Sequence, residues 1–144
     1  MMGIVETTPI VAEELKRHLP FPPNAGWPAW LHIVKPSPAS KATAQGWRQA
    51  GLLDRGEAEA LAVAHETKAD GFLTDDAEAR EMAGALRIDA RGSLGVVLMT
   101  AARGQINQAE ASAFLARLES HSTLWLSKRV RRAAHDALKQ IYHT

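Results

Sequence analysis

Apolar positions along this chain fall into two rhythms. Short β-branched or apolar runs stand at Ile4-Val5-Glu6-Thr7-Thr8, Trp30-Leu31-His32-Ile33-Val34, Gly71-Phe72-Leu73-Thr74, Arg87-Ile88-Asp89-Ala90 and Thr123-Leu124-Trp125-Leu126. Each predicts a strand. Between them lie longer stretches of helical spacing or composition: Pro9 to His18, Ala39 to Gly51, the segment after the Asp54-Arg55-Gly56 turn, Ala77 to Leu86, and Leu94 to Ala102. Two more helices are predicted, one opening near Asn107 or Gln108 and one after Ser127. Thr8 before Pro9, and Ser127 before Lys128, are expected to cap their helices. Residues 20–29 hold four prolines and predict a loop. Alternating strands and helices predict an α/β fold of three α/β/α layers around a mostly parallel sheet.

The stretch from Leu52 to Arg80 organises the rest. Its helix carries Glu57 and Glu59 in the first turn, and its strand runs straight into Asp75 and Asp76. A helix that feeds a parallel strand runs antiparallel to it, so the helix start and the strand end share one edge. That edge is where such folds place their sites. Four carboxylates gathered there would repel and raise one another's pKa unless a cation sat among them. Hard carboxylate oxygens in a chain with no Cys favour Mg2+ or Mn2+ over zinc. The same acids also suit helix N-termini, so spacing by itself leaves both readings open.

Size and composition narrow the class. The 144 residues are expected to form one domain over 1–144, with 46% hydrophobic residues to fill a core. A net charge of +1 does not mark a nucleic-acid binder by itself. No Cys means no disulfides, which fits a reducing, cytoplasmic setting. Residues 1–10 lack a secretory signal pattern, and no apolar stretch is long enough to span a bilayer. Trp27, Trp30 and Trp47 are expected as packing anchors, and His32 on a less buried face. The last helix opens with Lys128, Arg129, Arg131 and Arg132. Cations at a helix N-terminus oppose its dipole, which suggests an external anion such as phosphate as readily as a solvated charge run.

Three ordered motifs carry a resemblance. They are Leu53-Asp54-Arg55-Gly56-Glu57-Ala58-Glu59-Ala60-Leu61, then Phe72-Leu73-Thr74-Asp75-Asp76 with Ala79-Arg80, then Arg91-Gly92-Ser93-Leu94-Gly95-Val96. With Pro9-Ile10-Val11-Ala12-Glu13-Glu14-Leu15 and Trp125-Leu126-Ser127, they resemble the PIN-domain superfamily, in a prokaryotic branch related to VapC-type toxins. The resemblance spans roughly residues 4 to 135. It implies a metal-dependent ribonuclease whose acids hold Mg2+ or Mn2+. Carried over, Glu14, Glu59 and Asp76 match the catalytic acids, Asp75 joins them as a metal ligand, and Glu57 and Thr74 support them. PIN domains open with a strand that ends in an Asp, and nothing upstream of Glu14 resembles it. The expectation is therefore a PIN-like fold without that element, with an open strand edge that recruits a second copy into a dimer.

Two functions follow as expectations. One is a ribonuclease of the toxin–antitoxin type, with RNA as substrate and an antitoxin protein as partner. The other is a non-catalytic PIN-like domain that binds nucleic acid through Arg91, Lys128, Arg129, Arg131 and Arg132, or that binds protein.

Overall fold

The computed structural model describes residues 3–18, 26–120, 124 and 126–143. The chain forms two compact units, one up to Ala90 and one from Arg91 onward.

In the first unit, strand β1 (Val5–Thr7) leads through Thr8 into helix α1 (Pro9–His18). Pro9 opens the helix, where its missing N–H costs nothing, and Lys16, Arg17 and His18 close it with charge that favours the dipole. Strand β2 (Leu31–Ile33) pairs in parallel with β1, in the register Val5–Leu31, Glu6–His32 and Thr7–Ile33. Helix α2 (Pro38–Gln49) starts at Ser37, whose hydroxyl accepts from the Ser40 N–H at 3.0 Å. Helix α3 (Arg55–Glu66) follows. Its last residue ties the two helices: Glu66 accepts from the Ser37 and Ser40 hydroxyls at 2.7 and 2.8 Å.

Helix α3 is the pillar of this unit. Ala58, Leu61, Ala62, Val63 and Ala64 are all buried, with Ala44 of α2 and Phe72 beyond. Alanines along α3 let neighbouring helices approach closely, so the core is built from short side chains. Trp47 packs against it as expected, whereas Trp30, also expected as an anchor, is 51% exposed. His32 is exposed, as its alternation predicted.

Strand β3 (Phe72–Leu73) is paired with β4 (Ala90–Arg91), and the Phe72 N–H donates to the Asp89 carbonyl at 2.8 Å. Helix α4 (Ala77–Ala85) lies between them in sequence and buries Ala79 and Ala83. Among the described residues the strands form two two-stranded sheets, and no ladder joins β1 to β3.

Two helices end in an unusual way. The Lys68 and Ala69 N–H groups close α3 on the carbonyls of His65 and Ala64, and the Arg87 and Ile88 N–H groups close α4 on Gly84 and Ala83. This is the turn that glycine normally supplies, yet Lys68 (φ 53°) and Arg87 (φ 61°) take it. A side chain in that region costs on the order of 1 kcal/mol.

The second unit is three helices: α5 (Ser93–Ala102), α6 (Gln108–Ser120) and α7 (Lys128–His143). Asn107 caps α6 reciprocally: its side chain accepts from the Glu110 N–H at 2.9 Å, and Glu110 accepts from the Asn107 N–H at 2.8 Å. Ser127 caps α7 as expected, accepting from the Val130 N–H at 3.2 Å. Ala101, Ala111, Leu115, Ala134 and Leu138 make the core. Phe114 of α6 is 45% exposed, because Ala111 and Leu115 define the buried stripe. Of the strand expected over Thr123–Leu126, Thr123 and Trp125 lie outside the described residues, and Leu124 and Leu126 are not in a strand.

Candidate functional site

Helix α1 brings one acid to α3. Glu13, on the outer side, pairs with Lys16 at 3.4 Å. Glu14 points the other way, and its carboxylate lies against Gly56 in the first turn of α3. A β-carbon at position 56 would stand 2.7 Å from Glu14 Oε1 and 2.9 Å from Oε2, closer than real contacts allow. Gly56 thus leaves the space that the carboxylate fills.

The next residue carries the clearest electrostatic signature. Burial pushes the Glu57 carboxyl above its ordinary range, although a hydrogen bond to its backbone N–H holds it down in part. The charges of Glu14, Asp76 and Asp54 then push it up further. Acids from α1, from the start of α3 and from the end of β3 therefore act on one carboxyl group. Among the described residues, neither Glu14 nor Glu57 forms an ion pair that would relieve this repulsion.

Asp76 is held in place twice. Its Oδ2 accepts from the Ala79 N–H at 2.8 Å and caps α4, and its own N–H donates to the Thr74 hydroxyl at 3.1 Å. That hydroxyl stands two residues before Asp76, at the spacing of the motif. Arg80 braces the same turn through the Thr74 carbonyl, at 3.3 Å. Asp75 is exposed beside it.

Glu59 has different surroundings from Glu57. It is 9% exposed, and its Oε1 accepts from the Ile10 N–H at the start of α1, at 3.2 Å. The residue expected to cap that helix, Thr8, does not: its buried hydroxyl has no hydrogen-bond partner. Of the two glutamates, Glu57 in the first turn of α3 feels the charges of Glu14 and Asp76, and Glu59, a half-turn further on, is bonded to backbone. Helical spacing alone does not say which of two nearby acids meets a distant partner.

The donor chemistry suits a divalent cation: hard oxygens, uncompensated charge, and no thiol in the chain. The spacing is looser than the chemistry. Among the described residues, no three His, Asp or Glu side chains stand close enough to hold an ion. Two contributors were not legible as part of the site. Asp54 adds charge to Glu57, and Gly56 makes room for Glu14. A glycine directly before an acid in the first turn of a helix was the available signal, since a helix interior disfavours glycine.

The basic residues lie in the second unit. Lys128, Arg129 and Arg132 are exposed. Arg131 is half-buried and donates through Nε to the Leu126 carbonyl at 3.1 Å. Arg91 is exposed, with Nη1 3.0 Å from Met99 Sδ.

Helices alternating with short strands, and carboxylates collected where a helix starts and a strand ends, define an α/β protein with an acidic rim. A family model described as a PIN domain matches residues 3–140, so the chain belongs to the PIN-domain family and carries its nuclease-like fold. The match runs through both compact units. No curated protein and no solved structure matches the chain. None of the helices in the described residues is long and apolar enough to cross a membrane.

Proposed function

We propose that this PIN domain is a Mg2+- or Mn2+-dependent endoribonuclease of the toxin–antitoxin type, with Glu14, Glu57 and Asp76 as its principal acids. The observation that supports this reading most is the Glu14 carboxylate seated on Gly56, next to Glu57, whose pKa is raised by burial first and then by the charges of Glu14, Asp76 and Asp54. Carboxylates that repel one another become compatible around a divalent cation. When bound, such an ion neutralises charge on the scissile phosphate and supplies a water of lowered pKa.

The chain's own residues divide the remaining work. Glu14, seated on Gly56, and Glu57 beside it offer two carboxylates at the start of α3. Asp76 offers Oδ1 from the strand end, because Oδ2 is committed to the Ala79 N–H. Asp75 is exposed next to it and would widen the donor set. Glu57, whose pKa burial raises, holds a proton more readily than an ordinary carboxylate and is the candidate for proton exchange in the reaction. The partners on this reading are RNA, an antitoxin protein and a second copy of the chain.

The test is cleavage of single-stranded RNA with Mn2+, with EDTA, and by the Glu57→Gln and Asp76→Asn variants. EDTA and both substitutions should abolish it. Cleavage that survives both substitutions would refute the assignment.

A second reading draws on the absence of a tight three-acid group among the described residues. It is a non-catalytic PIN domain that binds nucleic acid through Arg91, Lys128, Arg129, Arg131 and Arg132. An unchanged melting temperature on addition of Mn2+, together with salt-sensitive RNA binding, would favour it.

A further inference from the structure

Two contacts between helices α1 and α3 involve carboxylates. The Glu59 carboxylate accepts from the Ile10 N–H, and the Glu14 carboxylate rests on Gly56. Ile10 and Glu14 are four residues apart on α1, and Gly56 and Glu59 three apart on α3. Each pair therefore lies on one face of its helix. The order is opposite on the two helices, so they run antiparallel and the contacts sit one turn apart.

We propose that Glu59 is a positioning residue: it grips the first turn of α1 and thereby holds the Glu14 carboxylate at the start of α3, beside Glu57. The inference rests on the reading of Glu14 and Glu57 as acids of a metal-dependent nuclease.

Three features carry it. Glu59 is a carboxylate almost withdrawn from water in the middle of an alanine-rich helix, where an apolar side chain would pack at no electrostatic cost. The hydrogen bond it makes spans 49 residues of sequence and replaces a local cap, since the Thr8 hydroxyl at the cap position stays unpartnered. Its contact also lies one turn from Glu14. A slip of α1 along α3 would break the Ile10 bond and carry Glu14 off Gly56 together.

The test uses the full chain and two readouts. One is Mn2+ affinity by calorimetry. The other is the Overhauser contact between Gly56 Hα and Glu14 Hγ in the metal-free protein, which reports the seat of Glu14 directly. Glu59→Gln keeps an acceptor for Ile10, so it should keep the contact and stay within about threefold of the parent affinity. Glu59→Met fills the same space without an acceptor, so it should lose the contact and weaken Mn2+ about 10- to 100-fold, the range for a residue behind a metal ligand. Gly56→Ala leaves Glu59 intact and fills the seat instead; it should fold normally and lose Mn2+ affinity to a similar extent, which shows that the affinity reports the placement of Glu14.

Two results overturn the proposal. If Glu59→Gln loses as much affinity as Glu59→Met, Glu59 is itself a ligand. If the Overhauser contact persists in Glu59→Met, Glu59 does not set the position of Glu14. A parent chain that binds no Mn2+ sinks the nuclease reading instead, and the Overhauser contact still decides the role of Glu59.

Discussion

The Glu14 carboxylate occupies the place where a side chain at position 56 would begin: a β-carbon on Gly56 would lie 2.7 Å from Glu14 Oε1. The clash is with the far end of a flexible side chain, so it can be relieved by swinging Glu14 away. Gly56→Ala should therefore fold well. Alanine in a helix is favoured over glycine by about 0.5–1 kcal/mol, so the melting temperature should hold or rise. RNA cleavage should fall at the same time. Thermal melting and a cleavage assay on one preparation check both halves; a variant that keeps full activity would show that the seat of Glu14 is irrelevant to the chemistry.

Glu57 makes stability depend on pH with a definite sign. Its folded pKa is raised above the ordinary 4.5, so the folded state holds the proton more tightly than the unfolded state. Unfolding then releases a proton, and stability falls as pH rises from about 4.5 through the raised value. Glu57→Gln should remove this contribution. Its gain over the parent should be small at pH 4 and larger at pH 7.5, as read by urea unfolding. Mn2+ should raise the melting temperature of the parent and leave that of Glu57→Gln nearly unchanged.

Asp76 combines a structural task with the proposed chemical one, and two substitutions separate them. Asp76→Asn retains an oxygen for the Ala79 N–H, so α4 stays capped and the melting temperature should hold. Asp76→Ala removes the cap and should cost about 1 kcal/mol in addition. Both should lose Mn2+-dependent cleavage. An asparagine variant that cleaves like the parent would leave Asp76 as a helix cap and nothing more.

The cationic start of α7 gives a prediction that is independent of the acids. Lys128, Arg129 and Arg132 are exposed, and nothing described pairs with them. If they contact RNA phosphates, Arg129→Ala and Arg132→Ala should each weaken binding across sequences and lower the salt slope by about one unit. Filter binding between low and physiological salt measures this. Slopes equal to that of the parent would return these residues to the status of solvated charge.

What the sequence by itself determined is largely local. Helix positions followed from spacing and caps: α1 runs over the predicted Pro9–His18, Ser127 caps α7, and Thr74 supports Asp76 two residues on. These depend on interactions within a few residues, which the order of residue types specifies. Family membership was legible for the same reason, since its motifs are short and ordered. The tertiary structure alone decided the rest. Whether Glu57 or Glu59 meets Glu14, and whether Thr8 or Glu59 caps α1, depends on how two helices separated by some forty residues of chain lie against each other. A shift of one residue along a helix turns a side chain by about 100°, so acids two apart face different neighbours. Only the packing of α1 on α3 selects between them.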